Sequence, residues 1–237
     1  MEDLKYGMPV PGQEPPKGLK ARLAYLRFYW RDLVLLAFYL FSMWIMQLLN
    51  HPIGTVRSLE IPFDRLIPLW PWTSVIYNSW GPLIFILVLI YLFRDRTLYR
   101  RYTLTMIVGQ LMADATFLFF QTEIPVPYEK VYGATDIFSR LLAFTYRTDN
   151  KYCGFPSIHV ILCTLTIFFI WKLRPAKRWF KILITCYFIL VALTTVTTKQ
   201  HVVLDIPGGI VYALLAIPLT LPLFRLIDRK VFKDPYR

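Results

Sequence analysis

Six apolar runs, at roughly 33–49, 74–93, 103–120, 158–172, 180–198 and 202–224, leave few folds open to this chain of 237 residues. Several approach or reach the ~20 residues that a helix needs to cross a hydrocarbon core. Apolar residues make up 56% of the sequence and mean hydropathy is +0.46, too little polar surface for a soluble domain of this size. The reading is all-α: an integral membrane bundle of six transmembrane helices.

The distribution of charge supports that count. The net charge of +12 would suit a nucleic-acid binder, but the basic residues fall in short clusters between apolar runs, so no nucleic-acid partner is expected. Six Lys and Arg precede residue 33, four lie in 94–101, five in 172–181 and five in the C-terminal tail. Six crossings put all of these on one side and leave only Arg57, Arg65, Lys130, Arg140, Arg147, Lys151 and Lys199 opposite. By the positive-inside rule both termini are cytoplasmic. Residues 1–32 read as a cytoplasmic basic tail. Its first 16 residues, rich in Pro and Gly, read as disordered, and KGLKARLAYLRFYWRDL as an interfacial amphipathic helix leading into the first span. It is too long and polar for the charged region of a cleavable signal, and no small-residue cleavage site follows. Residues 33–237 form the six-span domain. Cys153, Cys163 and Cys186 show no metal-binding spacing and no expected disulfide.

Two polar stretches interrupt the apolar pattern. In CGFPSIHV, Gly154 and Pro156 break the chain where the fourth span begins near Pro156, which places Ser157 and His159 in its first turn. Backbone N–H groups are unpaired there, and the helix dipole welcomes an anion; a plain helix cap with an interfacial histidine fits the stretch equally well. In TTKQHVVLDIPGG, His201 and Asp205 stand i and i+4, on one face if the segment is helical. Asp205 would lie about one turn inside a span, where a carboxylate needs a partner, and His201 is the nearest. A carboxylate behind an imidazole sets its tautomer, which suits a nucleophile or base; a purely structural pair is the alternative. Both histidines are expected on the outer face, near cations. Two imidazoles, a serine, a helix N-terminus and positive charge suit phosphoryl transfer, with one histidine attacking phosphorus and the other protonating the leaving oxygen.

FPSIHV followed about forty residues later by TKQHVVLD resembles the type 2 phosphatidic acid phosphatase (PAP2) superfamily of membrane lipid phosphatases and phosphotransferases. Its second motif reads Pro-Ser-x-His and its third ends His-x-x-x-Asp. IPFDRLIPLWPW, at 61–72, is similar to the membrane-bound branch with a six-helix core. The resemblance implies a phosphohistidine at His201, oriented by Asp205, with His159 as acid and then base, and Ser157 holding phosphate oxygens. It implies a lipid phosphate or phospholipid partner in the bilayer (phosphatidate, isoprenyl phosphate or phospholipid), a site on the non-cytoplasmic face of a cell membrane, no metal and no other cofactor. Three of the family's cations are missing. Its first motif ends Arg-Pro, with a Lys seven residues before the Arg, where this chain has Val126-Pro127 and Phe119; Thr194 and Thr195 stand where the third motif opens Ser-Arg. Lys199, one helical turn past Thr195, and Lys151 are the expected substitutes, with Arg147 and Arg140 in the same loop. Similar losses occur in relatives that resemble sphingomyelin and inositol phosphorylceramide synthases, which transfer a headgroup to a lipid alcohol. A catalytically inactive lipid-binding protein is the further alternative.

The remaining polar residues read as structural. Asp114 and Gln110 stand one turn apart in the third span and are expected to pair by hydrogen bond. His51 reads as an interfacial turn residue, and Trp70, Trp72 and Trp80 as interface anchors.

Overall fold

The computed structural model describes residues 19–149 and 151–230, with side chains from Trp30 to Ile227. The Pro- and Gly-rich N-terminal stretch lies outside the described residues. Eight α-helices account for most of the described residues: α1 Leu19–Leu49, α2 Pro62–Leu66, α3 Ser74–Arg94, α4 Arg96–Phe119, α5 Ile137–Thr148, α6 Ile158–Ile170, α7 Arg178–Thr197 and α8 Asp205–Lys230. The only strands among the described residues are β1 Arg57–Ser58 and β2 Thr122–Glu123, a two-residue parallel pair. The all-α expectation holds with that small addition.

Among the described residues five helices are long and apolar enough to cross a membrane: the Trp30–Leu49 part of α1, α3 with the turn before it, α4, α7 and the Asp205–Ile227 part of α8. The run expected as the fourth span forms a helix of only 13 residues, about 20 Å at 1.5 Å per residue. This α6 is also the helix most enclosed by protein. Nine of its residues are buried, and α4, α7 and α8 pack around it. The segment read as an interfacial helix and the first span form one helix, since α1 runs unbroken from Leu19. The basic cluster after α3 is mostly helix too. Asp95 alone separates α3 from α4, and its carboxylate caps α4 by accepting the Leu98 N–H at 2.9 Å.

Exposed leucines and aromatics sheathe the bundle, including Phe38, Phe41 and Trp44 on α1 and Leu183, Leu190 and Leu193 on α7. In water such a surface would aggregate; in hydrocarbon it is the favoured one. Polar side chains turn inward and pair. Asp32 of α1 is fully buried between Arg96 and Arg100 of α4, and Tyr99 Oη donates to its carbonyl at 2.6 Å. Removing one partner from such a pair costs about 3–5 kcal/mol. Gln110 Nε2 donates to Asp114 Oδ1 at 3.0 Å, the expected packing pair.

Contacts sort the helix ends into two groups. Asp32, near the start of the Trp30–Leu49 part of α1, meets the α3–α4 turn, and Arg101 lies over the ring of Phe224 near the end of α8. At the other end, Gln121 after α4 bonds the carbonyls of Leu49 and His51 and the N–H of Ile53. Thr122 bridges to Cys153 just before α6. The end of α7 and the starts of α3, α6 and α8 complete this second group, where the loops gather.

Candidate active site

Ser157 begins the site by ending the loop. Its hydroxyl accepts the Val160 N–H at 3.4 Å, capping α6, and it is wholly buried. The helix therefore starts one residue after Ser157 rather than at Pro156, and His159 lies in its first turn. The Ser157 N–H donates to the carbonyl of Asp205 at 3.4 Å, tying the start of α6 to the start of α8. Gly209 allows the approach: a Cβ there would lie 2.7 Å from Val160 Cβ and 2.8 Å from the Ser157 carbonyl oxygen.

His201 and Asp205 meet, though not as neighbours on a helical face. Helix α8 begins at Asp205, and His201 belongs to the connection before it. The Asp205 Oδ2 accepts from His201 Nδ1 at 3.0 Å and from the Val202 N–H at 3.1 Å, so the carboxylate caps a turn and holds the imidazole together. Asp205 is 1% and His201 6% exposed. With the proton held on Nδ1, Nε2 keeps its lone pair. That nitrogen lies 3.3 Å from Nδ1 of His159, 42 residues earlier.

His159 is backed in turn by a carboxylate that the sequence reading missed. Asp149, just after α5, places Oδ2 3.8 Å from His159 Nε2 and accepts a hydrogen bond from Tyr77 Oη. The rings of Tyr77 and Trp80 pack at 4.7 and 4.8 Å from the imidazole. Trp80, expected as an interface anchor, thus helps to cage a histidine. The result is a chain of four groups, Asp205–His201···His159–Asp149. It borders a cavity of about 190 Å³ whose walls include Met43, Met46 and Gln47 of α1, Asn78 and Thr145.

The expected phosphate cations are elsewhere. Lys199 does not continue α7: the helix ends at Thr197, and Lys199 turns away with φ of +55°. Its ammonium donates to the carbonyls of Asp64 and Ile67, both at 2.7 Å, at the end of α2. Burial pushes its pKa down, against the pull of the Asp64 carboxylate. Lys151 bonds Glu123 Oε1 at 2.5 Å and lies outside the histidine cavity. Arg147 lies over the Tyr132 ring. Phe119 is 81% exposed, so that position faces away. Thr194 and Thr195 are buried and bond their hydroxyls back to α7 carbonyls.

A second cavity, about 330 Å³, lies against His201 and is lined by Glu60, Asp64, Arg65, Lys130 and Lys199. Segment 61–73 forms its frame and grips the loop that carries His201. Asp64 accepts the Val203 N–H at 2.7 Å and the Ile61 N–H at 2.8 Å, and the Trp70 N–H donates to the Thr197 carbonyl at 2.9 Å. From α5, Tyr146 Oη donates to the Thr198 carbonyl at 2.7 Å.

No curated protein matches the sequence significantly. A family model described as PAP2 superfamily matches residues 57–219, which include every member of the four-group chain. The paired histidines, the acid behind the second of them and this match lead to one conclusion: the chain belongs to the PAP2 superfamily.

Proposed function

We propose that the protein is a membrane enzyme that takes a phosphate-containing group from a lipid onto His201 and passes it to an acceptor. The observation that carries this reading is the hydrogen-bonded alignment of Asp205, His201 and His159 at the edge of a cavity. His201 Nε2 attacks phosphorus; the bond from phosphorus to the lipid alcohol oxygen breaks, and His159 gives that oxygen its proton. Asp205 stabilises the imidazole as it gains positive charge. In the second half His159 takes the acceptor's proton while the acceptor oxygen displaces His201. The Asp149 carboxylate, 3.8 Å from His159 Nε2, favours the protonated, donating form that the first half of the reaction needs. With the two ring nitrogens 3.3 Å apart, the rings part to admit the phosphoryl group. Ser157 and Lys199 serve as positioning residues, the first by starting α6 and the second by fastening the His201 loop to α2.

A lipid substrate fits the walls of the cavity. Met43 and Met46 come from α1, which packs on α4, and the opposite wall is α3. Flexible thioethers there suit an acyl-bearing substrate entering from the bilayer. The grouping of helix ends supports six crossings, with α6 as a short, protein-enclosed one. Among the described residues the basic clusters at 94–101 and 172–181 belong to the α3–α4 and α6–α7 connections, at the end opposite the site, so the site faces the non-cytoplasmic side of the membrane.

Transfer to a lipid alcohol is a second reading, favoured by the absence of Lys and Arg from the described walls of the histidine cavity. A lipid-panel assay that reads both free phosphate and new phospholipid separates the two. Loss of both products in His201→Ala is the expected result for either; full activity in both His201→Ala and His159→Ala would overturn the mechanism.

A further inference from the structure

The wall of the histidine cavity contains a buried polar group left unpaired. Gln200 is 3% exposed and lines the cavity, and its amide nitrogen has no hydrogen-bond partner. A buried donor in that state is costly and calls for a ligand or water. The terminal torsion of a glutamine is broad and roughly two-fold, so turning the N–H₂ toward the cavity needs no backbone change. That backbone is held: the N–H groups of Gln200 and His201 both donate to the Thr195 carbonyl, at 3.0 and 3.1 Å. The amide and the ring beside it are therefore positioned as one unit.

The surrounding charges narrow what the amide could hold. The other polar groups on the cavity wall include Gln47, Asn78, Thr145 and the Asp149 carboxylate, and none of the described lining residues is Lys or Arg. The cations near His201 line the neighbouring cavity instead, together with two carboxylates. There Lys199 donates to two carbonyls and Arg65 pairs with Glu60 at 3.1 Å. A phosphomonoester brings nearly two negative charges above its second pKa of about 6, whereas a phosphodiester brings one. In a cavity whose one cation is the His159 imidazolium, itself facing the Asp149 carboxylate, the second charge would lose water without gaining a counter-ion of its own.

We propose that Gln200 is a substrate-binding residue whose amide donates to a non-bridging phosphoryl oxygen, and that the cavity takes singly charged phosphodiester lipids in preference to dianionic lipid monoesters. The inference rests on the reaction proposed at His201 and narrows its substrate. The bond exchange is unchanged: the phosphorus–oxygen bond to diacylglycerol breaks, the His201 Nε2–phosphorus bond forms, and His159 supplies the proton to diacylglycerol.

The test uses the full chain in detergent micelles at about pH 8, where a monoester is close to doubly charged. Phosphatidate and a panel of phosphodiester phospholipids with the same acyl chains are supplied alongside a lipid alcohol, and diacylglycerol release is followed. At least one phosphodiester should show a higher kcat/KM than phosphatidate. Gln200→Leu should lower that value roughly 10- to 100-fold, as expected for a hydrogen bond to a charged group. Its melting temperature should stay unchanged or rise, because leucine removes an orphaned donor. Gln200→Lys should move the preference toward phosphatidate. A wild-type preference for phosphatidate, or unchanged ratios in both variants, overturns the inference. So does a Gln200→Leu loss that follows a lowered melting temperature, which would make the residue structural, or a larger loss in Lys130→Met, which would place the phosphate in the neighbouring cavity. His201→Ala separates this inference from its foundation: turnover retained there removes the reaction itself, whereas turnover lost there but normal in Gln200→Leu removes only the role of the glutamine.

Discussion

The two cavities that share His201 are built of opposite materials. One, about 190 Å³, brings together two histidines, neutral amides and hydroxyls and a single carboxylate. The other, about 330 Å³, is lined by three cations and two carboxylates, yet several of those charges already serve the fold. Lys199 caps α2, Arg65 pairs with Glu60, and Asp64 clasps the backbone before α8. Charge by itself is therefore a poor guide to where the chemistry lies. Side chains whose hydrogen-bonding capacity is used on the backbone hold the loop; those aligned on one another beside the smaller cavity are the ones the proposed reaction uses.

Substitutions can break that contrast. The largest effect should come from His201→Ala, which should reduce lipid turnover to background and abolish any phosphorylated enzyme trapped by rapid quench in alkaline denaturant, where a phosphohistidine survives. His159→Ala should cost about 10²–10⁴-fold in kcat, the usual worth of a general acid. Asp205→Asn should approach a loss of about 10⁴-fold, by favouring the wrong imidazole tautomer. Both are read from steady-state rates on a common lipid.

Asp64→Ala should reveal the second cavity as a brace. It leaves the Val203 and Ile61 N–H groups without their acceptor, at about 1–3 kcal/mol for each buried donor. Thermal unfolding should therefore shift downward, with turnover falling as the His201 loop loosens. An unchanged melting temperature together with a large rate loss would instead move Asp64 into the chemistry. Gly209→Ala forces α8 away from α6 and should destabilise by about 1–3 kcal/mol, as overpacking does. Lys151→Met should change turnover least, and stability by only about 0.2–1 kcal/mol, because its ion pair with Glu123 is partly exposed. A tenfold rate loss there would restore the reading of Lys151 as a phosphate ligand.

Helices with a strong local signal were legible in the sequence. The runs at 74–93 and 180–198 became α3 and α7 to within about two residues, because each holds enough apolar surface to specify its own environment. The amphipathic α5 was hidden inside a segment read as a loop, since its packing partners include the distant Pro71–Thr73 turn. The expectation that Lys199 continues α7 failed at one backbone angle: the turn at φ +55° carries its side chain to α2 rather than along α7. Asp149 had no readable signal, because its partners His159 and Tyr77 come from two other helices.

Local pattern was enough to determine the apolar helices, the segregation of positive charge and the two histidine stretches, because periodicity, burial and capping act over a few residues of chain. Tertiary structure alone decided that the 158–172 run becomes a short enclosed helix, that Asp149 backs His159, and that Lys199 braces the loop carrying His201. Those outcomes depend on which side chains meet across tens of residues, and hydrogen-bond geometry selects among such meetings at a precision of tenths of an ångström that spacing along the chain does not encode.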